Sequence, residues 1–240
     1  MKNSNKALAA ALLLLLGALS AFNTALRAEY ARGAYKNPLL NTKALPFRDF
    51  TEVEVQAAGS MKVQVVAGPY GVRVDNEAAA FVRISQQGPR LVVALVYPKE
   101  RKYLGSGDAV TISCPQLRRL TTGTTYLLAN KPMSDLGGRG GGVRVQGFRQ
   151  DSLELRQDRS SFVELAHNQL RHLRADTGPS SGSQPILHIG RDNRIDAADF
   201  ILRHRSELEL ESRIAAPRYA LVGDSVKVTL SGPAAAGLVR

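Results

Sequence analysis

Residues 151–165 read DSLELRQDRSSFVEL. Leu153 and Leu155 alternate with charged neighbours, a polar corner RQDRSS follows, and Val163 and Leu165 then alternate again. Similar phrases return at 205–210, RSELEL, and at 224–230, DSVKVTL. Alternate side chains of an extended strand point to opposite faces, so each phrase describes a short strand with one buried face. A strand of a few residues cannot bury enough apolar surface alone. A chain that returns over itself every ~20 residues stacks such strands in parallel and buries a continuous aliphatic column, with Ser-rich corners as the turns. An antiparallel sandwich also uses many short strands with turns between them. The alternation by itself leaves both architectures open.

The same reading extends outward along the chain. From Pro46, alternating runs fall at Val53 and Val55, at Met61, Val63 and Val65, and at Val72 and Val74. They are punctuated by AAGS and AGPYG, as half-buried strands are by their turns. FVRIS, RLVVALVY and AVTISC follow. Beyond Val143 the strands shorten: SLEL, FVEL, LRHL, ILHI, ELEL and VKVTL succeed one another. NEAAAFV is the best helical candidate in this region and covers about two turns. Residues 99–108 and 131–142 read as exposed loops. The glycines of the second are not followed by the Gly-Lys-Ser/Thr of a phosphate-binding loop.

Residues 1–22, MKNSNKALAAALLLLLGALSAF, have the form of an export signal: Lys2 and Lys6, then an uncharged Leu- and Ala-rich run, then small residues at Ala18, Ser20 and Ala21. The uncharged run continues from Ala7 to Leu26. About 20 such residues span a bilayer as a helix, so an uncleaved anchor that contacts the membrane through residues 7–26 is the alternative. The chain is therefore divided into 1–22, signal peptide or signal anchor; 23–45, linker; 46–232, an all-β head domain; and 233–240, a C-terminal tail. The expected location is outside the cytoplasm, in the periplasm or at the cell surface.

The formal charge is +11 over 240 residues, with arginines scattered and no Trp. No zinc-finger spacing or RNA-binding signature accompanies the charge, so nucleic acid is not an expected partner. Cys114 is the single cysteine and shares its phase with Val110 and Ile112; a buried, inert thiol is expected. His167, His172, His188 and His204 have no His-x-x-x-His partner, and no metal or cofactor is expected. GRDNRIDAAD brings Asp192, Asn193, Asp196 and Asp199 together without the spacing of a calcium loop; these read as turn carboxylates. Glu207, Glu209 and Glu211 share one face of a strand, where neighbours lie ~6–7 Å apart. That spacing suits a pair of glycosidase carboxylates, yet it is also what an amphipathic strand with inward Leu208 and Leu210 requires. No catalytic, cofactor-binding or metal residue is assigned.

The segment FRDFTEVEVQ…LVVALVYP, with Gly88–Val93 in it, resembles the opening of the bacterial head GIN domain family of autotransporter-type adhesins. VTISCPQLRRLTT is similar to a signature of that family, with Pro115, Leu117 and Leu120 in place. RIDAADFILRHRSELEL and DSVKVTLSG resemble its C-terminal coils. The likeness covers about residues 47–232, with DRSS, RHRS and VGDS standing where members carry GSG corners. It implies a right-handed parallel β-helix, a solenoid of short strands preceded by the signal or anchor helix, exported to the cell envelope. It implies an adhesin or surface role and brings no catalytic residues to carry over. The export segment joined to a strand-only domain without a catalytic constellation points to a non-catalytic envelope protein, with a polysaccharide or a surface protein as the expected partner. Two other roles compete: an enzyme acting on acidic polysaccharide, for which Asp192, Asp196, Asp199 and arginines would have to line one cleft, and a membrane-tethered structural module.

Overall fold

The computed structural model describes residues 3–33, 40–105, 107–135, 140–223 and 225–236. Two compact units divide at Thr42. In the first, helix α1 (Asn3–Arg32) contains a stretch, Asn5–Arg32, long and apolar enough to cross a membrane. No part of that stretch is buried, and Leu8 and Leu12–Leu16 are exposed. A run of Leu and Ala propagates a helix well, and α1 continues past Phe22 into the stretch read from composition as linker.

The second unit is built of strands. Its C-terminal half begins at β11 (Gly142–Gln146) and proceeds through β12 (Arg149–Gln157), β13 (Phe162–Ala166), β14 (Gln169–Thr177) and β15 (Ile186–Ile189). It ends with β16 (Arg194–Arg203), β17 (Glu207–Leu210), β18 (Ile214–Val222) and β19 (Lys227–Leu230). Odd-numbered strands lie in one sheet and even-numbered strands in the other. Each pairs in parallel with the strand two places on. The ladder of alternating leucines is real. Val143, Val163, Leu187, Leu208 and Val228 form one register row, and Val145, Leu165, Ile189, Leu210 and Leu230 form the next. Except for Val228 and Leu230 at the last strand, all of these are buried. Each fully buried Val, Leu or Ile contributes roughly 1.5–3 kcal/mol.

The N-terminal half departs from uniform parallel stacking. It comprises β1 (Thr42–Leu45), β2 (Glu52–Val55), β3 (Lys62–Ala67), β4 (Gly71–Asp75), β5 (Val82–Gln87), β6 (Arg90–Tyr97), β7 (Val110–Cys114), β8 (Arg119–Thr122), β9 (Thr125–Leu128) and β10 (Lys131–Ser134). The sheet orders are β1-β4-β7-β3-β11-β13-β15-β17-β19 and β10-β9-β6-β2-β8-β12-β14-β16-β18, with β5 beside β6. The pairs β4–β7, β5–β6 and β9–β10 are antiparallel. The architecture is thus mostly β in two large mixed sheets, neither closed, and this corrects the expectation of one uniformly parallel solenoid. The physical reason lies in where each short connection sends the chain: Gly88–Pro89 and Ala129–Asn130 fold it back beside itself as hairpins, and the bend at Gly68–Tyr70 reverses it between β3 and β4 with β7 lying between them, whereas the equally short corners Gly147–Phe148 and His167–Asn168 pass it to the other sheet. Lys131–Ser134, read as loop, is a strand for the same reason, whereas the helical candidate is reduced to one 3-10 turn at Ala78–Ala80. The 233–240 tail begins inside α2 (Gly232–Ala236), and Asp224 and residues 237–240 lie outside the described residues.

Two polar devices hold the corners. Asn168 accepts from the Phe148 N–H and donates to the Val145 carbonyl, each at 3.0 Å. Asn193 repeats this one rung on. Its Oδ1 accepts from the Asn168 N–H and Nδ2, and its Nδ2 donates to the carbonyls of Leu165 and Gly190 at 2.7 Å. Both asparagines are buried. At the opposite corner Asp158 accepts from Ser180 Oγ at 2.5 Å and Ser183 Oγ at 2.6 Å. Burial pushes the Asp158 pKa up, but the hydrogen bonds from Ser180, Ser183 and the Arg159 and Ser180 backbone outweigh it and leave it below the usual value. Arg159 and His204, at DRSS and RHRS, take φ of 55° and 52°. They occupy the left-handed region in which a glycine corner would be unstrained.

Candidate functional site

The outward-facing residues of the second sheet fall in rows as regular as the core. One row runs Arg90, Glu52, Arg119, Glu154, Arg174, Asp199, Arg218 across seven strands, its sign alternating at every step. Arg119 bridges Glu52 at 3.2 Å and Glu154 at 2.8 Å, and Arg218 meets Asp199 at 2.8 Å. Burial raises the Glu154 pKa, but hydrogen bonds and charge from Arg119 and Arg156 prevail and lower it. Opposite charges on neighbouring strands support the sheet. A row that neutralises itself offers little attraction to a charged partner.

A second pair of rows lies at the start of β12, β14 and β16, and it is different. Leu170 and Ile195 point into the core, and so do Leu173 and Ala198 three positions later. Strict alternation would separate inward residues by two. The neighbouring strands stay in one-for-one register across this point, so all three bend together, and the bend leaves two consecutive side chains outside, Arg171 and His172 in β14. On one side of this bend, Arg149, Gln169 and Arg194 stack in register, and Arg213, just before Ile214, continues the row. Asp151, Arg171 and Asp196 line the other side. Between the rows runs a shallow trough of ≈ 330 Å³ floored by Gln150 and Leu170. Gln150 is locked by hydrogen bonds to the Leu117 N–H at 3.0 Å and the Leu117 carbonyl at 2.6 Å.

The charge of the trough is not spent internally. Arg149, Arg194 and Arg213 are exposed and have no ion-pair partner among the described residues. Arg171 meets Asp151 at 3.6 Å with both side chains more than three-quarters exposed, a pairing worth ~0–1 kcal/mol. In the trough itself three arginines, Arg149, Arg171 and Arg194, therefore face two aspartates, and Arg213 extends the row beyond it to the edge of a separate apolar groove.

The carboxylates singled out from sequence scatter. Asp196 lines the trough, but Asp192 lies 3.8 Å from His167, and Asp199 pairs with His172 at 2.9 Å and with Arg218. Glu207 pairs with Lys227, and Glu211 with His188 at 3.5 Å and Arg191 at 3.7 Å. Among the described residues no three His, Cys, Asp or Glu side chains gather where a metal would sit. Cys114 is fully buried, and burial pushes its pKa up to about 12 against a hydrogen bond from the Gln116 backbone. Sequence reading missed the trough itself. Its arginines, Arg149, Arg171 and Arg194, lie 22 and 23 residues apart in succession along the chain, and only the stacking register brings them together.

Other hollows exist. An apolar groove of ≈ 460 Å³ opens where the aliphatic columns run out, beside Tyr219, Leu221, Val228 and Leu230. Tyr219 stacks on Phe200 at 5.4 Å there. A hollow of ≈ 300 Å³ lies beside Ser60, Lys62 and Arg101, the last held by Asp135 at 2.7 Å.

No family model matches the chain, and no curated protein matches it. Solved structures align with it. A "putative adhesin" of Bacteroides fragilis aligns over 79% of this chain and 96% of its own, at 10% identity and a TM-score of 0.48. A "putative adhesin" of Parabacteroides distasonis aligns over 78% and 95%, at 9% identity and 0.38. A "putative lipid binding protein" of the same species aligns over 80% and 94%, at 11% identity and 0.32. With TM-scores under 0.5, these likenesses assign nothing to this chain.

Proposed function

We propose that this protein is a non-catalytic binding module of the bacterial cell envelope, directed or tethered there by α1, and that it contacts its partner through the arginine trough. The reading is that of an adhesin-type surface protein of the head GIN kind, to which residues 47–232 are similar in pattern. Its C-terminal coils are read as a right-handed parallel β-helix. That hand is the one taken by parallel strands joined by a crossover, here β11 to β13 by way of β12.

The observation that carries the proposal is the conjunction of two features. An exposed apolar helix precedes a rigid β unit, and that unit presents arginines without internal partners on stacked strands. Stacked strands fix the backbone spacing of the row before contact, so only the arginine side chains remain to be ordered on binding. Fractionation of cells followed by protease treatment of intact cells and spheroplasts tests it. The β unit is expected outside the cytoplasmic membrane, with N-terminal sequencing reporting whether the protein begins at Met1 or beyond Phe22. Recovery of the whole chain in the cytoplasm would overturn it.

A further inference from the structure

We infer that the trough binds a linear acidic polysaccharide laid along the stacking axis and running on past it to Arg213, with sugar carboxylates on the Arg149–Arg194–Arg213 row and sugar hydroxyls on Asp151 and Asp196. This rests on the binding-module reading above and names the ligand class of the same site.

Spacing argues for a linear polymer. Neighbouring strands are ~4.8 Å apart, so the row from Arg149 to Arg213 extends over three steps, ~14 Å. Its charges stand along one line, Arg149 two steps from Arg194 with Gln169 between them and Arg213 one step beyond. A polymer with regularly repeated anionic groups meets them in series, and guanidinium is the group best shaped to take a carboxylate through two hydrogen bonds.

The opposite row decides the class of polyanion. Asp151 and Asp196 are exposed carboxylates on the same trough. They accept hydrogen bonds and donate none. Against a nucleic acid they would face phosphates and repel them. Against a sugar they would accept from hydroxyls, which every uronate residue carries beside its carboxylate. Gln150 between the rows and Gln169 within the arginine row add neutral polar groups. A neutral glycan would leave the unpaired arginines unused, and a protein partner would find no exposed apolar anchor in the trough, where Leu170 is buried.

The test uses the full chain in detergent micelles, with sodium polygalacturonate, dextran and double-stranded DNA as probes. Wild type is expected to bind polygalacturonate and not dextran. The variant R149A/R194A/R213A is expected to weaken polygalacturonate binding about tenfold or more, since each charged hydrogen bond lost is worth about a factor of ten or greater. Asp196→Asn and Asp151→Asn provide the sharper readout. Both remove negative charge, so simple attraction would strengthen binding to every polyanion. Hydroxyl recognition instead weakens polygalacturonate while DNA binding rises. Circular dichroism confirms the fold of each variant, and Arg194→Gln replaces the triple variant should that one misfold.

Equal gains for both polyanions in the aspartate variants would overturn the inference, as would a triple variant that binds like wild type. Shortening of the polygalacturonate during incubation would overturn the non-catalytic reading instead. Failure of an exported wild-type chain to retain polygalacturonate would sink the ligand and leave the envelope location standing.

Discussion

Deleting the side chain of Asn168 should cost this fold about 3–5 kcal/mol. The amide is fully buried and bonds the Phe148 N–H, the Val145 carbonyl and Asn193 Oδ1, each at 3.0 Å. In Asn168→Ala the Phe148 N–H loses its acceptor in a place water does not reach. Val145 and Asn193 lose a donor. A buried polar group left without a partner costs ~1–3 kcal/mol, and two or three are affected at once. Against a total stability of roughly 5–15 kcal/mol this is a large fraction.

The same ladder supplies its own control. Ile195 pairs with Ile214, so Ser212 stands beside Asn193 as the next rung. Its hydroxyl is buried and has no hydrogen-bond partner. Ser212→Ala should therefore be neutral or stabilise by up to ~1 kcal/mol, because it removes an unsatisfied group. Urea unfolding of the full chain in micelles, followed by far-UV circular dichroism because the chain lacks Trp, measures both. An Asn168→Ala protein within about 1 kcal/mol of wild type, below the cost expected for even a single orphaned group, would refute this account. A Ser212→Ala protein as damaged as Asn168→Ala would refute it equally.

Acid should find the Asp158 corner. The folded pKa lies below the ordinary aspartate value of 3.8, so the carboxylate's contribution is fully present above that value and is lost as pH falls through the folded pKa. Asp158→Asn should lower stability at neutral pH and flatten this acid limb in melts from pH 6 to 2. Cys114, its pKa raised to about 12, should resist iodoacetamide at pH 8 and react once urea unfolds the chain; labelling followed by mass spectrometry reads this directly. Gly178 takes φ of 71°, and a Cβ added there would stand only 2.5 Å from Ser206 Oγ and 2.6 Å from the Arg203 carbonyl. Gly178→Ala should cost well over ~1 kcal/mol, whereas Gly88→Ala, at φ 58° with nothing within 4 Å, should cost about the left-handed penalty of ~1 kcal/mol alone. Urea melts of the two variants side by side measure the difference.

Much of the second unit was legible residue by residue. Val53, Val63, Leu153, Val163 and Leu208 announced their buried faces through alternation, since period two is a local property of an extended chain. Cys114 declared its burial by sharing phase with Ile112. The unbroken apolar run declared α1, though not its continuation to Arg32. The left-handed corners at Arg159 and His204 were not readable, because neither residue type carries a preference for that conformation strong enough to mark it.

Alternation tells which way a side chain points but not which strand lies beside it. That choice depends on whether each corner folds the chain back beside the strand it has just left or passes it to the other sheet. Reversals at Gly68–Tyr70, Gly88–Pro89 and Ala129–Asn130 made the first half antiparallel in places, while corners as short as Gly147–Phe148 and His167–Asn168 sent the chain from sheet to sheet and kept β11–β19 parallel. The Asn168–Asn193 ladder and the Arg149–Arg194–Arg213 row exist only once that register is set. The chain by itself determined its strands, its inward faces and its apolar N-terminal helix. Tertiary structure alone decided which residues became neighbours, because contact between distant segments is a property of pairing and not of any local pattern.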